Sequence, residues 1–118
     1  MDKRVVITGL GAITPIGKNV EETWNSIKEK KCGIDEITLF NTENFKTKLA
    51  AEVKEYNPLE HFEAKQAKRL DRYSQFAIIA AREAVKSSEI SKENTDFNRV
   101  GIFVSSGIGG LTTIQEQC

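Results

Sequence analysis

Two stretches of the chain consist almost entirely of apolar and β-branched residues. The first covers residues 4–9, Arg-Val-Val-Ile-Thr-Gly, and the second covers residues 100–105, Val-Gly-Ile-Phe-Val-Ser. Continuous apolar runs without polar alternation are typical of strands that are covered on both faces in a parallel sheet. The pattern therefore predicts buried strands at both places, each followed by a glycine-rich turn.

A helical pattern follows the first of these turns. Asn19 and Glu22 have the spacing of a capping box, and the apolar residues after them repeat at intervals of three and four. This predicts a first helix from about Asn19 to Lys30. Gly33 is the candidate stop signal at its C-terminal end.

The middle of the chain contains two further helical signals. Residues 34–56 show only short alternating fragments, and we expect this part to be mostly irregular, with residues 48–53 extended or forming a strand. Asn57 and Pro58 predict the start of a short helix, with asparagine as its cap. The most regular pattern predicts a long helix over residues 72–88, whose alanines permit another element to approach closely.

Strands that alternate with helices indicate the fold class. The order predicts an α/β fold with a mainly parallel sheet flanked by helices and connected by right-handed crossovers. A chain of 118 residues has the length of one domain. Because such sheets usually contain more strands than are visible here, we expect residues 1–118 to be part of a larger domain.

Composition and charge exclude several classes of protein. Seventeen Lys and Arg residues balance seventeen Asp and Glu residues, so no overall field attracts nucleic acid or an anionic membrane. No apolar run approaches the roughly 20 residues that span a bilayer, which predicts a cytoplasmic protein. Cys32, Cys118 and His61 lack the spacing of a metal site, and the two cysteines are expected to be reduced thiols.

The first glycine-rich turn does not have the spacing of a nucleotide-binding loop. Gly9 and Gly11 fit the start of a dinucleotide fingerprint, but Thr14 occupies the third glycine position. Five residues rather than four separate Gly11 from Gly17, and Asn19 stands where a P-loop has Ser or Thr. A dinucleotide-binding oxidoreductase therefore remains only a weak alternative, and no cofactor is expected.

Two local patterns leave a structural and a functional interpretation open. Gly107 and Gly109 flank Ile108, so this side chain could line a pocket above a strand end or simply fill a turn. Lys65, Lys68 and Arg69 recur at helical spacing, which is typical of a solvated helix face but also provides a docking surface for an acidic partner.

The segment Val-Val-Ile-Thr-Gly-Leu-Gly-Ala-Ile-Thr-Pro-Ile-Gly at residues 5–17 resembles the first strand and loop of the β-ketoacyl-acyl carrier protein synthases, in particular the type II enzymes. The resemblance continues in the same order along essentially the whole chain. The further matches are Trp24, Cys32-Gly33-Ile34, Lys68-Arg69-Leu70-Asp71-Arg72, Arg99-Val100-Gly101 and Ser106-Gly107-Ile108-Gly109-Gly110.

This resemblance implies a thiolase-like fold of two similar halves, with residues 1–118 as the beginning of the first half. It implies an acyltransferase of fatty-acid biosynthesis that condenses malonyl-carrier protein with an acyl chain held as a cysteine thioester, and that forms a homodimer. The family's nucleophile lies in a Thr-Ala-Cys motif, which residues 1–118 lack, and its two histidines are not matched by His61. We therefore expect this segment to be inactive alone. A non-catalytic partner subunit with the same fold is the alternative.

The resemblance also decides the two local ambiguities. Ile108 matches the isoleucine that gates the acyl pocket in the type II family, so Gly107, Ile108 and Gly109 are implied to contact the acyl chain. Lys65, Lys68 and Arg69 match the basic positions that receive the acidic helix of acyl carrier protein. No residue of this segment is implied to be catalytic.

Overall fold

The structure, a computed structural model, describes residues 3–118 and contains two compact units. Residues 12–56 form one unit, and residues 3–11 together with 57–118 form the other. In the described residues no helix is both long and apolar enough to cross a bilayer.

The unit of residues 12–56 begins with helix α1, Val20–Lys28, and confirms the predicted cap. Asn19 accepts a hydrogen bond from the Glu22 amide at 2.8 Å, and the Glu22 carboxylate accepts one from the Lys18 amide at 2.8 Å. The first bond satisfies an amide that the first helical turn leaves without a partner, and the second binds the amide of Lys18, which precedes the cap. The helix therefore starts where the sequence indicates.

The end of α1 differs from the prediction, because Gly33 is not its stop signal. The left-handed residue is Lys30, with φ 57°. The Lys30 amide donates to Ile27 O at 3.0 Å and the Lys31 amide donates to Ser26 O at 2.9 Å, which is the pattern of a Schellman motif. These two bonds satisfy the last carbonyls of α1 and offset the cost of the left-handed lysine, so the helix ends before Gly33 is reached.

The same unit contains the only sheet among residues 3–118. Strands β1 (Ile34–Glu36) and β2 (Leu49–Ala51) pair antiparallel, with Asp35 opposite Ala50. This identifies the extended fragment expected at 48–53 as a strand. At the end of the ladder, Lys54 Nζ lies 2.6 Å from Asp35 Oδ2. This hydrogen bond lowers the pKa of the Asp35 carboxyl and raises the pKa of the Lys54 amine.

The other unit is mainly helical. Its elements are a 3-10 turn at Pro58–Glu60, helix α2 at Ala64–Ala67, helix α3 at Arg72–Ser88, a 3-10 turn at Phe97–Arg99 and helix α4 at Leu111–Gln117. The bounds of α3 coincide with the predicted long helix.

The core of this unit lies between α3 and the segment before it. Phe62 and Ile79 are its buried apolar residues. Gln75 of α3 is also buried, and its Nε2 donates to Ala67 O and Leu70 O at 2.9 Å each. A buried amide that satisfies two carbonyls is costly to replace, so Gln75 fixes the start of α3 against the end of α2.

The N-terminal segment lies close against α3, as its alanines allow. A Cβ atom added at Gly11 would stand 1.8 Å from Ala80 O, and one at Gly9 would stand 2.3 Å from Ala84 O. No side chain fits into such distances. The close approach of the two backbones thus requires glycine at position 11. This packing explains the glycines of the first turn, so no nucleotide-binding role is needed to explain them.

The two predicted buried strands are not strands in this structure. Residues 4–9 and 100–105 have no assigned strand pairing, and Val5 and Phe103 are 93% and 98% exposed. A strand requires hydrogen bonds to a neighbouring strand, and residues 3–118 pair only β1 with β2. The apolar pattern therefore marks segments whose large apolar side chains no other described element covers.

Candidate functional site

The three predicted docking residues lie on and directly after α2. Lys65 is within this helix, Lys68 is its C-cap and Arg69 follows, with the Arg69 amide bonded to Gln66 O at 3.0 Å. We call Lys65, Lys68 and Arg69 the basic cluster. All three are exposed, and in the described part of the chain none of them forms a salt bridge. Their charges are thus available to a partner.

A cavity of about 460 Å³ adjoins the basic cluster. Its lining residues are Glu63, Lys65, Gln66, Arg69 and Leu70. Two cations and one carboxylate therefore surround a recess that Leu70 makes partly apolar. Such a surface suits a partner that presents carboxylates together with an apolar side chain.

The three predicted acyl-contact residues belong to the turn before α4. We call residues 107–110 the glycine loop. Gly109 has φ +91°, a conformation that favours glycine, and its amide donates to Ser106 Oγ at 3.0 Å. The Ser106 side chain therefore stabilises the turn before α4. Ile108 is 74% exposed at the tip of the loop, and its contact with an acyl chain stays a prediction.

The glycine loop is held against the first turn of α3 by Asp71. The Asp71 Oδ1 atom accepts a hydrogen bond from Thr113 Oγ1 of α4. A Cβ atom at Gly110 would stand 2.6 Å from the Asp71 carboxyl carbon, and one at Gly109 would stand 3.8 Å from the Tyr73 ring. Gly110 therefore lies directly against the Asp71 carboxylate, and Gly109 lies near the Tyr73 ring at the start of α3.

Sequence reasoning did not identify this contact. Asp71 entered only as a member of the motif before α3, and Thr113 had no assigned role. The single available signal was an aspartate at the N-cap position of a predicted helix. In the structure the Asp71 side chain does not cap α3, and it binds Thr113 instead.

The remaining titratable candidates do not assemble into a site. Cys32 and Cys118 are both free and exposed. The backbone carbonyl of His61 accepts a hydrogen bond from Arg82 Nη1 at 2.9 Å. The centroid of the His61 ring lies 6.4 Å from the centroid of the Phe62 ring. Within residues 3–118 no group of three or more His, Cys, Asp or Glu side chains is arranged to hold a metal ion.

Curated proteins named 3-oxoacyl-[acyl-carrier-protein] synthase 2 are similar to this chain. The 3-oxoacyl-[acyl-carrier-protein] synthase 2 of Staphylococcus aureus (strain N315) is 45% identical over 114 residues, which cover 97% of this chain and 28% of the relative. The protein of the same name from Synechocystis is 36% identical over 115 residues, covering 98% and 28%. The chain thus spans less than a third of the length of these curated relatives.

Solved structures agree on the fold. The ishigamide ketosynthase/chain length factor matches with a TM-score of 0.62 and 33% identity, over 75% of this chain and 22% of that one. A type II polyketide ketosynthase in complex with its acyl-carrier protein matches with a TM-score of 0.58 and 23% identity, over 81% and 25%. This second likeness bears on the fold alone.

The family model of the β-ketoacyl synthase N-terminal domain matches residues 2–117. It covers nearly the whole chain, including both the basic cluster and the glycine loop. By this match the chain belongs to the β-ketoacyl synthase N-terminal domain family and has its thiolase-like ketosynthase fold.

Proposed function

We propose that the full-length protein containing this segment is a 3-oxoacyl-[acyl-carrier-protein] synthase of fatty-acid biosynthesis. The observation that carries the proposal is the 45% identity over 97% of this chain to a synthase of that name. In the proposed reaction malonyl-carrier protein loses carbon dioxide, and the resulting carbanion attacks the carbonyl carbon of an acyl chain held as a cysteine thioester. The carbon–sulfur bond breaks, the cysteine thiolate leaves, and the product is a 3-oxoacyl-carrier protein. A covalent acyl-enzyme divides this reaction into transfer and condensation.

The proposed partner is acyl carrier protein, received as an acidic helix by Lys65, Lys68 and Arg69. The exposure of the basic cluster and the adjoining cavity support this role, because complementary charge steers association and fixes orientation. A ketosynthase of the same fold has been solved with its carrier protein bound. We further propose that the full-length protein is a homodimer in the cytoplasm.

The proposed acyl contact is made by Gly107, Ile108 and Gly109. In the full-length protein, residues 4–9 and 100–105 would be strands of a mainly parallel sheet. The exposure of Val5 and Phe103 supports this, since apolar stretches of this kind normally face a partner surface. Residues 1–118 would then form the first part of one domain, with the glycine loop at a strand end.

The docking proposal is tested by reversing the charges of Lys65, Lys68 and Arg69 to Glu in the full-length protein. We expect weaker binding of acyl carrier protein at low salt, and a smaller difference at high salt because salt screens exposed charges. The matched control reverses Lys86, Lys92 and Arg99, which are also exposed and change the net charge equally. Equal affinity of both variants would refute the docking site.

The activity is tested by incubating the full-length protein with acyl- and malonyl-carrier protein. We expect release of carbon dioxide and a 3-oxoacyl-carrier protein, detected by mass spectrometry. A segment limited to residues 1–118 is expected to give neither, because it lacks the proposed nucleophile. Absence of product from the full-length protein would refute the proposed synthase activity and favour the alternative of a non-catalytic partner subunit.

A further inference from the structure

We propose that Asp71 is a positioning residue that sets acyl-chain selectivity by holding the glycine loop, and thereby Ile108, through its hydrogen bond with Thr113. The inference rests on the proposed function, because it assumes that Ile108 contacts the acyl chain. It adds two residues, Asp71 and Thr113, that touch no substrate themselves. Their effect would be transmitted through the position of the loop.

The first observation is the direction of the Asp71 side chain. An aspartate at an N-cap position normally accepts a hydrogen bond from an amide of its own helix. Asp71 occupies the N-cap of α3 without forming that bond. Its carboxylate is instead bonded to Thr113, a residue 42 positions later in the sequence. Local helix capping is thus given up for a contact between two distant segments.

The second observation is how closely the last two residues of the glycine loop, Gly109 and Gly110, approach Asp71 and Tyr73 at the start of α3. Gly110 leaves no room for a Cβ atom against the Asp71 carboxylate, and Gly109 adopts a positive φ beside the Tyr73 ring. On its other side, the turn is closed by the bond from the Gly109 amide to Ser106. These contacts and the bond to Ser106 restrain the loop at Gly109 and Gly110, which directly follow Ile108.

The third observation is that the support itself is rigid. Gln75 lies one helical turn after Asp71, and its buried amide binds Ala67 O and Leu70 O. These bonds tie the first turn of α3 to α2, where the basic cluster lies. Asp71 therefore positions the glycine loop relative to the same segment that is proposed to receive the carrier protein.

The consequence concerns selectivity rather than the chemical step. If the hydrogen bond between Asp71 and Thr113 is removed, Ile108 can occupy more positions. The protein then discriminates less between acyl chains of different lengths. The expected change is that the ratio of kcat/KM for a long and a short acyl-carrier protein moves towards one. A residue with only a structural role would lower both values together.

The test compares Thr113→Val with Thr113→Ser in the full-length protein. Valine removes the donor at nearly constant volume, whereas serine keeps it. We expect valine to change the selectivity ratio about fivefold, the scale of one hydrogen bond, and serine to leave it within about twofold. Melting temperatures are measured in parallel. If valine prevents folding, Asp71→Asn, which keeps an acceptor oxygen, is compared with Asp71→Ala in the same way.

A double-mutant cycle connects the effect to Ile108. In an Ile108→Ala background, Thr113→Val should no longer alter the selectivity ratio, because the side chain positioned by the bond between Asp71 and Thr113 is absent. The inference is overturned if Ile108→Ala shifts the selectivity ratio but Thr113→Val leaves it unchanged. It is also overturned if Thr113→Val and Thr113→Ser change the ratio equally. If Ile108→Ala itself changes nothing, or the wild-type protein forms no product, the proposed function fails and the inference with it.

Discussion

The approach of Gly11 to the backbone of α3 provides a direct test of how the N-terminal segment packs. Gly11 lies against α3 at Ala80, where an added Cβ atom would stand 1.8 Å from Ala80 O and 2.7 Å from Ala80 C. We predict that Gly11→Ala destabilises the full-length protein. The obstacle is main chain of a helix, so no side-chain rotation can remove the overlap.

The size of the effect follows from this geometry. Ordinary contacts of a Cβ atom begin near 3.4 Å, so the segment must move away by more than an ångström or α3 must bend. Overpacking of this kind costs about 1–3 kcal/mol, and the backbone obstacle places Gly11→Ala at the upper end. With about 2 °C lost per kcal/mol in a larger domain, we expect a melting temperature at least about 4 °C lower.

The assay is thermal and urea denaturation of the full-length protein, with Gly107→Ala as the matched control. A Cβ atom at Gly107 would meet no atom within 4 Å, so we expect its stability to stay close to that of the wild type. Trimming Ala80 to glycine should not rescue Gly11→Ala, because the obstructing atoms belong to the backbone. A Gly11→Ala protein as stable as the control would show that this segment does not pack on α3.

Substitutions at three further positions test local features. Asn19→Ala should cost about 1 kcal/mol by removing the cap of α1, and Asn19→Asp should keep most of it, as measured by urea denaturation. Gln75→Ala should cost about 1–3 kcal/mol in urea denaturation, because the carbonyl groups of Ala67 and Leu70 lose their donor. Asp35→Asn should lower stability slightly at neutral pH. Since the bond to Lys54 lowers the folded-state pKa of Asp35, this difference is present above the usual aspartate pKa and should vanish as the pH falls through the lowered value.

The helices could be predicted from the sequence because their signals are local. The Asn19 cap and the Arg72–Ser88 periodicity each involve residues within a few positions of one another, and both are found as expected. The end of α1 was missed since a lysine seldom adopts positive φ. Only the two bonds that close the Schellman motif at Lys30 make this conformation favourable.

The strands could not be placed in the same way, because pairing is not a local property. The pattern at 100–105 identifies residues suited to a covered strand, but a ladder also requires a neighbour at the correct register. Conversely, β1 is only three residues long, too short for a period to be recognised, and β2 could be placed only as part of the alternating fragment at 48–53.

In the candidate site, too, features that depend on local spacing could be predicted, and contacts between distant residues could not. Lys65, Lys68 and Arg69 could be grouped from their spacing, and they are exposed together around α2. The bond between Asp71 and Thr113 joins residues 42 positions apart, and no pattern of spacing connects them. The chemistry of each residue was visible in the sequence, whereas their contact depends on how α3 and α4 meet.

The exposed apolar stretches have a practical consequence for handling this polypeptide. Residues 5–7 and 102–104 combine β-branched or aromatic side chains with backbone groups that no described ladder occupies. Such segments are templates for intermolecular cross-β assembly. A preparation of residues 1–118 alone should accordingly bind thioflavin T and sediment over time, and charged substitutions within these two stretches should delay that precipitation.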